Sequence, residues 1–140
     1  MFLAGIDRVT MSKDRKKHIS TKNSKMTASE LAVFDFEWFK TQLDSEHAFI
    51  EMVKMLLEEL PRELIEFRAA YKIKDWGLIQ HLSHRLKGGI SYYGAMRLKT
   101  ACAQLENAIG NSEDASFERF YDEVIIEILL AEKTLREQLP

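Results

Sequence analysis

Apolar residues recur at intervals of three and four in four successive segments of this chain. An α-helix has about 3.6 residues per turn, so this spacing places the apolar side chains of each segment on one helical face. These segments lack the alternation of apolar and polar residues that is typical of a strand. The apolar positions, segment by segment, are Phe49, Val53, Leu56, Leu57, Leu60, Leu64 and Phe67; Ile79, Leu82, Leu86, Ile90 and Tyr93; Leu98, Cys102, Leu105 and Ile109; and Phe117, Phe120, Val124, Ile128 and Leu135. We therefore expect four amphipathic helices.

Polar residues and glycines predict where these helices begin and end. Asp44 and Asp75 precede the first and second segments, where a short acidic side chain can accept hydrogen bonds from the free N–H groups of the first turn. Gly94 predicts a break after the second helix, and Gly110 with Asn111 predicts the end of the third. The connections between the helices are therefore expected to be short.

Pro61 lies inside the first long segment. Proline lacks a backbone N–H and its ring collides with the preceding helical turn, so we expect a kink or a local opening there. The apolar spacing continues beyond it, which predicts a single helix to about Tyr71.

The segment before the first long helix is rich in aromatic residues. Thr27 and Glu30 have the spacing of a capping box, and order is expected to begin there. The aromatic side chains of residues 34–39 predict a brief helix that packs across the end of a larger unit. Together these features predict an all-α fold for residues 27–140, an antiparallel up-and-down four-helix bundle with a short N-terminal helical extension.

The charge of the chain is divided unevenly along its length. Residues 1–28 carry seven Lys and Arg against two Asp, a net charge of +5, so residues 29–140 carry −7 and the whole chain −2. An acidic body argues against nucleic acid as a partner. We expect residues 1–26 to be a basic, disordered arm, because polar and basic residues dominate it. Met11 and Met26 are alternative start sites, so the arm need not be native.

Cysteine usage and apolar runs bound the location of the protein. Cys102 is the single cysteine, which excludes an internal disulfide and a cysteine-rich zinc site and suits a reducing compartment. Its position between Leu98 and Leu105 predicts a packed thiol rather than a nucleophile. No apolar run approaches the roughly 20 residues that span a bilayer. We expect a cytoplasmic protein that does not bind membranes.

The most informative stretch of the chain is the run from His84 to Gly89, His-Arg-Leu-Lys-Gly-Gly. Residues three and four apart are neighbours on a helix, so Lys87 and Gly88 both lie beside His84. His84 is about 200° around the helix from the apolar positions two residues before and after it, which predicts that it faces solvent. Each glycine inside a helix costs about 1 kcal/mol relative to alanine. Two in succession suggest that something large approaches the histidine, such as a phosphoryl group carried by a docking protein.

Segment 84–106 resembles the signature of histidine-containing phosphotransfer (HPt) domains, the modules of multistep phosphorelays. The resemblance extends over about residues 30–138. It departs from the family at Ser83, where alanine is frequent. It also has an additional histidine, His81, one helical turn before His84. Only His84 has lysine and glycine at the family's offsets. The residues in register with the signature are His84, Leu86, Lys87, Gly88, Gly94, Leu98, Leu105 and Glu106.

The resemblance implies a role for each of these polar and glycine positions. His84 would accept a phosphoryl group on Nε2 from an aspartate of a receiver domain and pass it to another receiver aspartate, without any kinase activity of its own. Lys87 would offset the phosphoryl charge, and Gly88 would leave room for it, while Gly89 would add clearance or allow a close helix contact. Glu106 would accept a hydrogen bond from Nδ1 of the histidine; the alternative is an exposed glutamate without a role.

The resemblance also implies partners and a docking face. The partners would be receiver domains of response regulators, with a hybrid sensor histidine kinase as a further candidate, and the protein would be a monomer. Magnesium would belong to the receiver, so no metal or cofactor is expected on this chain. Met52 and Met55 are equally compatible with the core and with the docking face. The remaining residues of that face would be Gln80, His81, Arg85, Lys87 and Ser91.

Three other functions are compatible with parts of the sequence. His81 and His84 are three apart and could bind a metal if His47 or a carboxylate completed the site. A four-helix bundle could also be a non-catalytic adaptor that docks signalling partners without accepting phosphate. Cys102 could in principle be a nucleophile, against which its apolar surroundings argue.

Overall fold

The computed structural model describes residues 32–140, and in this part of the chain all regular structure is helical. Two short 3-10 turns, Ser91–Tyr93 and Asp114–Ser116, lie in the connections. The expected capping box at Thr27 and the basic arm over residues 1–26 lie outside the described residues. The five α-helices are α1 (Phe36–Thr41), α2 (Glu46–Lys72), α3 (Trp76–Ile90), α4 (Met96–Gly110) and α5 (Phe117–Arg136).

The four long helices form a closed ring of neighbours. Helix α2 packs against α3 and α5, and α4 packs against the same two helices from the other side. Short connections between successive helices make them antiparallel. This arrangement confirms the predicted all-α bundle. None of the helices within residues 32–140 is both long enough and apolar enough to cross a membrane.

Helix α1 covers one end of the bundle, as its aromatic residues predict. The Phe39 ring packs against Phe49 at the start of α2 and edge-on against Tyr93, with ring centroids 6.1 and 5.5 Å apart. Asp35 caps the helix by accepting a hydrogen bond from the N–H of Trp38 at 3.2 Å. The extension is therefore joined to the same core as the bundle.

The caps of the long helices agree with the sequence in one case and differ in another. Asp75 accepts a hydrogen bond from the N–H of Leu78 at 3.0 Å, so its predicted capping role is confirmed. The prediction for Asp44 is wrong, because Ser45 caps α2 and accepts from the N–H of Ala48 at 3.1 Å. The extended backbone of Ser45 brings its hydroxyl within reach of the first turn. Both residue types are good caps, so the pattern could not separate two adjacent candidates.

Helix α2 is continuous across Pro61. It runs to Lys72, one residue beyond the predicted end, which confirms that the segment is one helical unit. Pro61 itself is half-buried, and its neighbours Leu60 and Leu64 both lie in the core. Packing of the apolar face on both sides of the proline keeps the helix together where propensity alone would end it.

The predicted apolar stripes form one contiguous core. Most of their members are buried, and Leu57, Ile109 and Phe120 are partly buried and pack against its edge. Cys102 is fully buried, and burial raises the pKa of its thiol well above the usual range. The thiol therefore stays protonated, which argues against the nucleophile alternative.

Two glycines end or interrupt helices for different reasons. Gly94 has φ of 74°, and a Cβ there would lie 3.3 Å from the Trp38 ring, so both backbone conformation and space require glycine. Gly110 ends α4 as predicted, but the left-handed residue that follows is Ser112, at φ of 56°. A Cβ at Gly110 would lie 3.1 Å from the amide nitrogen of Gln80, so that glycine relates to packing against α3.

Replacing Gly94 with alanine should destabilise the protein by about 1–3 kcal/mol, because a side chain in the left-handed region is strained and would press on Trp38. Gly88→Ala is the matched control, since a Cβ there meets no atom within 4 Å and alanine favours the helix by about 1 kcal/mol. Urea unfolding of the two variants measures both effects. Equal stabilities would contradict this account of the turn.

Candidate functional site

His84 lies in the middle of α3 with 67% of its side chain exposed. Leu82 and Leu86, two residues before and after it, are 2% and 0% exposed. The expectation that His84 faces solvent is therefore confirmed. An exposed imidazole on a rigid helix is accessible to a second protein without any rearrangement of the core.

The carboxylate of Glu106, on α4, lies between the imidazole and an ammonium group. Its Oε2 is 2.6 Å from Nδ1 of His84, and its Oε1 is 2.7 Å from Nζ of Lys87. We refer to His84, Lys87 and Glu106 as the histidine cluster. Because the contact with Glu106 occupies Nδ1, Nε2 is the ring nitrogen left for another partner.

The electrostatics of the histidine cluster favour a charged Glu106. Partial burial of the carboxyl acts to raise its pKa, but hydrogen bonding and charge from Lys87 and His84 outweigh burial and hold the pKa of Glu106 below its usual value. A carboxylate only accepts hydrogen bonds, so at this distance Nδ1 must be the nitrogen that carries the proton. The neutral ring is thereby held in the tautomer with a lone pair on Nε2.

The contact between Lys87 and Glu106 involves the other oxygen of the carboxylate. Oε1 is buried, and Nζ of Lys87 lies 2.7 Å from it as a close ion pair. Lys87 keeps 29% of its side chain exposed and lies on the same helical face as His84. Its ammonium is therefore close to the surface beside the imidazole.

The two glycines after Lys87 face opposite ways. Gly88 is exposed, and no atom lies within 4 Å of where its Cβ would be, so the surface beside His84 is open. Gly89 is buried toward the bundle. Of the two interpretations of Gly89, the structure favours close helix packing over clearance for a ligand.

Arg85, predicted as a docking residue, reaches across to α2. Its guanidinium donates to both carboxylate oxygens of Glu63, at 3.1 and 3.0 Å, and to Glu66. Glu63 is 5% exposed, and burial raises the pKa of its carboxyl while the Arg85 hydrogen bonds act to lower it. Arg85 therefore links α3 to α2, and only its partly exposed head is available to a partner. The sequence signal for this link is Glu63 itself, a charge among the apolar positions of α2.

The other predicted docking residues lie on α3 or directly after it. His81 is exposed, one turn before His84. Gln80 is half-buried beside Gly110, and Ser91 is half-buried with its hydroxyl donating to the Gly88 carbonyl at 3.0 Å. Gln80 and His81 thus lie about one turn before His84, and Ser91 lies in the turn that follows the helix.

The structure also shows the surroundings of Ser83, which departs from the family pattern, and of Met52 and Met55, whose role the sequence left open. Ser83 is fully buried and donates its hydroxyl to the Ile79 carbonyl at 2.8 Å, so the hydroxyl is satisfied inside the helix. Met52 and Met55 are partly buried and pack against the core. Their remaining exposure keeps a contact role compatible with the structure.

The metal-site alternative lacks a complete ligand set. Within residues 32–140, no three His, Cys, Asp or Glu side chains are grouped so that they could hold a metal ion. His47 lies at the start of α2 and His81 with His84 on α3, so the histidines do not make such a group there.

Comparison with protein families matches the Hpt domain over residues 51–138. The chain belongs to the Hpt domain family. The matched region holds most of α2 and all of α3, α4 and α5, and it includes every member of the histidine cluster. No curated protein and no solved structure matches the chain. Hpt domains are histidine-containing phosphocarriers of phosphorelays rather than kinases, and they interact with receiver domains.

Arg85→Met should destabilise this Hpt domain by about 2 kcal/mol near pH 7.5, because Glu63 would remain buried without its partner. The raised pKa of Glu63 means that the folded protein keeps a proton that the unfolded chain releases, so stability falls as pH rises through the folded pKa. Loss of Arg85 raises that pKa further. The loss of stability caused by Arg85→Met should therefore be smaller at pH 4.5 than at pH 7.5.

Urea unfolding at the two pH values measures this difference. Arg62→Met is the matched control, since Arg62 is 69% exposed and pairs with Glu59 at 3.6 Å, and its loss should cost less than about 0.5 kcal/mol. Two outcomes would show that the contact with Glu63 does not stabilise the fold. One is an equal loss of unfolding free energy in the two variants, and the other is a loss in Arg85→Met that is the same at both pH values.

Proposed function

We propose that this chain is a phosphorelay intermediate in which Nε2 of His84 accepts a phosphoryl group from a receiver aspartate and donates it to another. The observation that carries the proposal is the 2.6 Å contact between Nδ1 of His84 and Glu106, in a chain of the Hpt family. That contact leaves the exposed nitrogen as the nucleophile. The protein acts as a carrier, without kinase activity of its own.

The transfer step follows from the tautomer. The lone pair of Nε2 attacks phosphorus, the bond from phosphorus to the aspartyl oxygen breaks, and its electron pair leaves with the carboxylate. The imidazole becomes cationic because Nδ1 keeps its proton. Glu106 lies opposite that developing positive charge and stabilises it, since the carboxylate is already in place before the reaction.

Lys87 and Gly88 prepare the surface for the phosphoryl group. Lys87 lies one turn from His84 and is partly exposed, so its ammonium can turn to the phosphoryl oxygens and offset their charge. Gly88 leaves an opening through which the receiver brings its aspartate close. Both residues would act on the incoming group.

The docking face would be the exposed surface of α3 around His84, with the Met52 and Met55 side of α2 as its apolar border. The receiver supplies the magnesium ion and most of the catalytic electrostatics, so no metal or cofactor is needed on this chain. A receiver of a response regulator or of a hybrid sensor kinase would fit, bound by a monomer in the cytoplasm. The arm over residues 1–26 takes no part in the transfer, which is confined to the domain over 27–140.

His84→Gln should abolish phosphoryl acceptance from a phosphorylated receiver, because the amide cannot form the phosphorus–nitrogen bond. His81→Gln is the matched control and should retain acceptance. Radiolabel transfer to the full chain, with circular dichroism to check helical content, measures both. If His84→Gln keeps the label and His81→Gln loses it, the acceptor is His81. If no folded form accepts label, the adaptor alternative is favoured.

Gly88→Glu should reduce acceptance to background, since a carboxylate in the opening would repel the phosphoryl group and obstruct the receiver. Gly88→Ala tests bulk alone and should transfer at a rate closer to wild type. Initial rates of label transfer distinguish the two. Unaltered transfer by Gly88→Glu would refute close approach at this point of α3.

A further inference from the structure

The partner of Nδ1 in this site is a charged carboxylate, and this has a consequence after phosphorylation as well as before it. Oε2 of Glu106 lies 2.6 Å from Nδ1, and Glu106 is mostly buried, with 18% of its side chain exposed. A neutral hydrogen-bond acceptor would hold the tautomer equally well. Only a carboxylate also stabilises a positive charge on the ring.

The proton on Nδ1 decides how easily phosphohistidine gives up its phosphoryl group. When water or an aspartate oxygen attacks phosphorus, the phosphorus–Nε2 bond breaks and its electron pair returns to Nε2. If Nδ1 is protonated, the group that leaves is neutral imidazole. If Nδ1 has lost its proton, the group that leaves is the imidazolate anion, which is a much poorer leaving group. With water as the attacking group, the water loses a proton to solvent and inorganic phosphate is released.

We propose that Glu106 keeps Nδ1 of phosphorylated His84 protonated to alkaline pH, so that this phosphohistidine is a short-lived, readily donated group rather than a stable store. The proposal rests on the proposed function and deepens it, since it concerns the lifetime of the carrier and not its existence. A receiver that competes with water for this phosphoryl group must therefore dock soon after the first transfer.

Lys87 makes the effect depend on phosphorylation. In the unphosphorylated protein its ammonium lies 2.7 Å from Oε1 and offsets part of the Glu106 charge. A phosphoryl group on Nε2 provides a stronger anion one helical turn away. When Lys87 turns to that anion, the carboxylate of Glu106 faces the ring without a competing cation, and the proton on Nδ1 is held more firmly.

The other charged groups near His84 do not replace this effect. On α3, His81 is exposed one turn away, and Arg85 points to α2. From α2, Glu63 and Glu66 both bind the Arg85 guanidinium. Glu106 on α4 is the carboxylate that contacts the ring among residues 32–140.

The test measures the decay of phosphohistidine across pH in the full chain and in Glu106→Gln. Potassium phosphoramidate phosphorylates histidine without a receiver, because Nε2 attacks its phosphorus and ammonia leaves. Phosphorus and nitrogen NMR of protein labelled with ¹⁵N at histidine then follow the His84 signal separately from the other histidines. Decay is recorded from pH 5 to pH 9.

The expected result is a displacement of the decay profile. The wild-type rate should stay high to a pH about one unit above the point where the Glu106→Gln rate falls, so the wild type should decay about tenfold faster at pH 8. Glu66→Gln is the matched control, since it removes the same charge from α2, where Glu66 contacts Arg85 and not His84, and it should follow wild type. Once unfolded in urea, phosphorylated wild type and phosphorylated Glu106→Gln should lose their phosphoryl groups at the same rate.

Overlapping decay profiles for wild type and Glu106→Gln would overturn the proposal, as would slower decay in the wild type. A second measurement does not depend on the variant: the Nδ1 shift of phosphorylated wild type should be that of a protonated nitrogen at pH 8, and an unprotonated shift would overturn the proposal. Because phosphoramidate bypasses the receiver, either failure leaves phosphoryl acceptance from receivers intact. A chain that shows the lability difference but accepts nothing from receivers would instead refute the relay function.

Discussion

The two oxygens of Glu106 determine the chemistry available to this domain, because one holds Nδ1 of His84 and the other holds Lys87. The contact crosses from α4 to α3, so it forms only when the two antiparallel helices pack in the correct register. Beneath the contact, Leu86 on α3 and Leu105 on α4 are fully buried in the same core. A surface imidazole with a defined tautomer thus depends on apolar packing that it does not touch.

The helix that carries the histidine is held from both sides. Toward α4 it is tied by the histidine cluster, and toward α2 by the contacts of Arg85 with Glu63 and Glu66. Adjacent residues of one helix therefore face opposite neighbours, which limits rotation of α3 about its axis. A fixed rotation matters for phosphoryl transfer, because small misplacements of reacting atoms are costly to the rate.

Much of the fold could be predicted from the sequence because it depends on local periodicity. The stripe through Leu82 and Leu86 predicts which face of α3 is buried, and the exposure of His84 follows from it. The cap at Ser45 rather than Asp44 could not be predicted, since adjacent residues of similar capping strength differ only in backbone angles that the whole fold determines.

The site was predictable to the level of its residues but not of their contacts. The His-x-x-Lys-Gly spacing places Lys87 and Gly88 beside His84 on any helix. Two ion pairs, Lys87 with Glu106 and Arg85 with Glu63, join different helices. They depend on the directions of side chains between helices, which the spacing along one helix does not determine. The structure therefore adds most to the sequence-based prediction in the contacts of charged residues between helices.

The most direct measurement locates the phosphoryl group on the ring. A phosphorylated receiver is mixed with the full chain labelled with ¹⁵N at histidine, and the ring nitrogens of the product are resolved by NMR. We expect phosphorus bonded to Nε2 of His84, with the proton on Nδ1. Phosphorus on Nδ1 of His84, or on His81, would contradict the claim that Glu106 occupies one nitrogen and leaves the other to react.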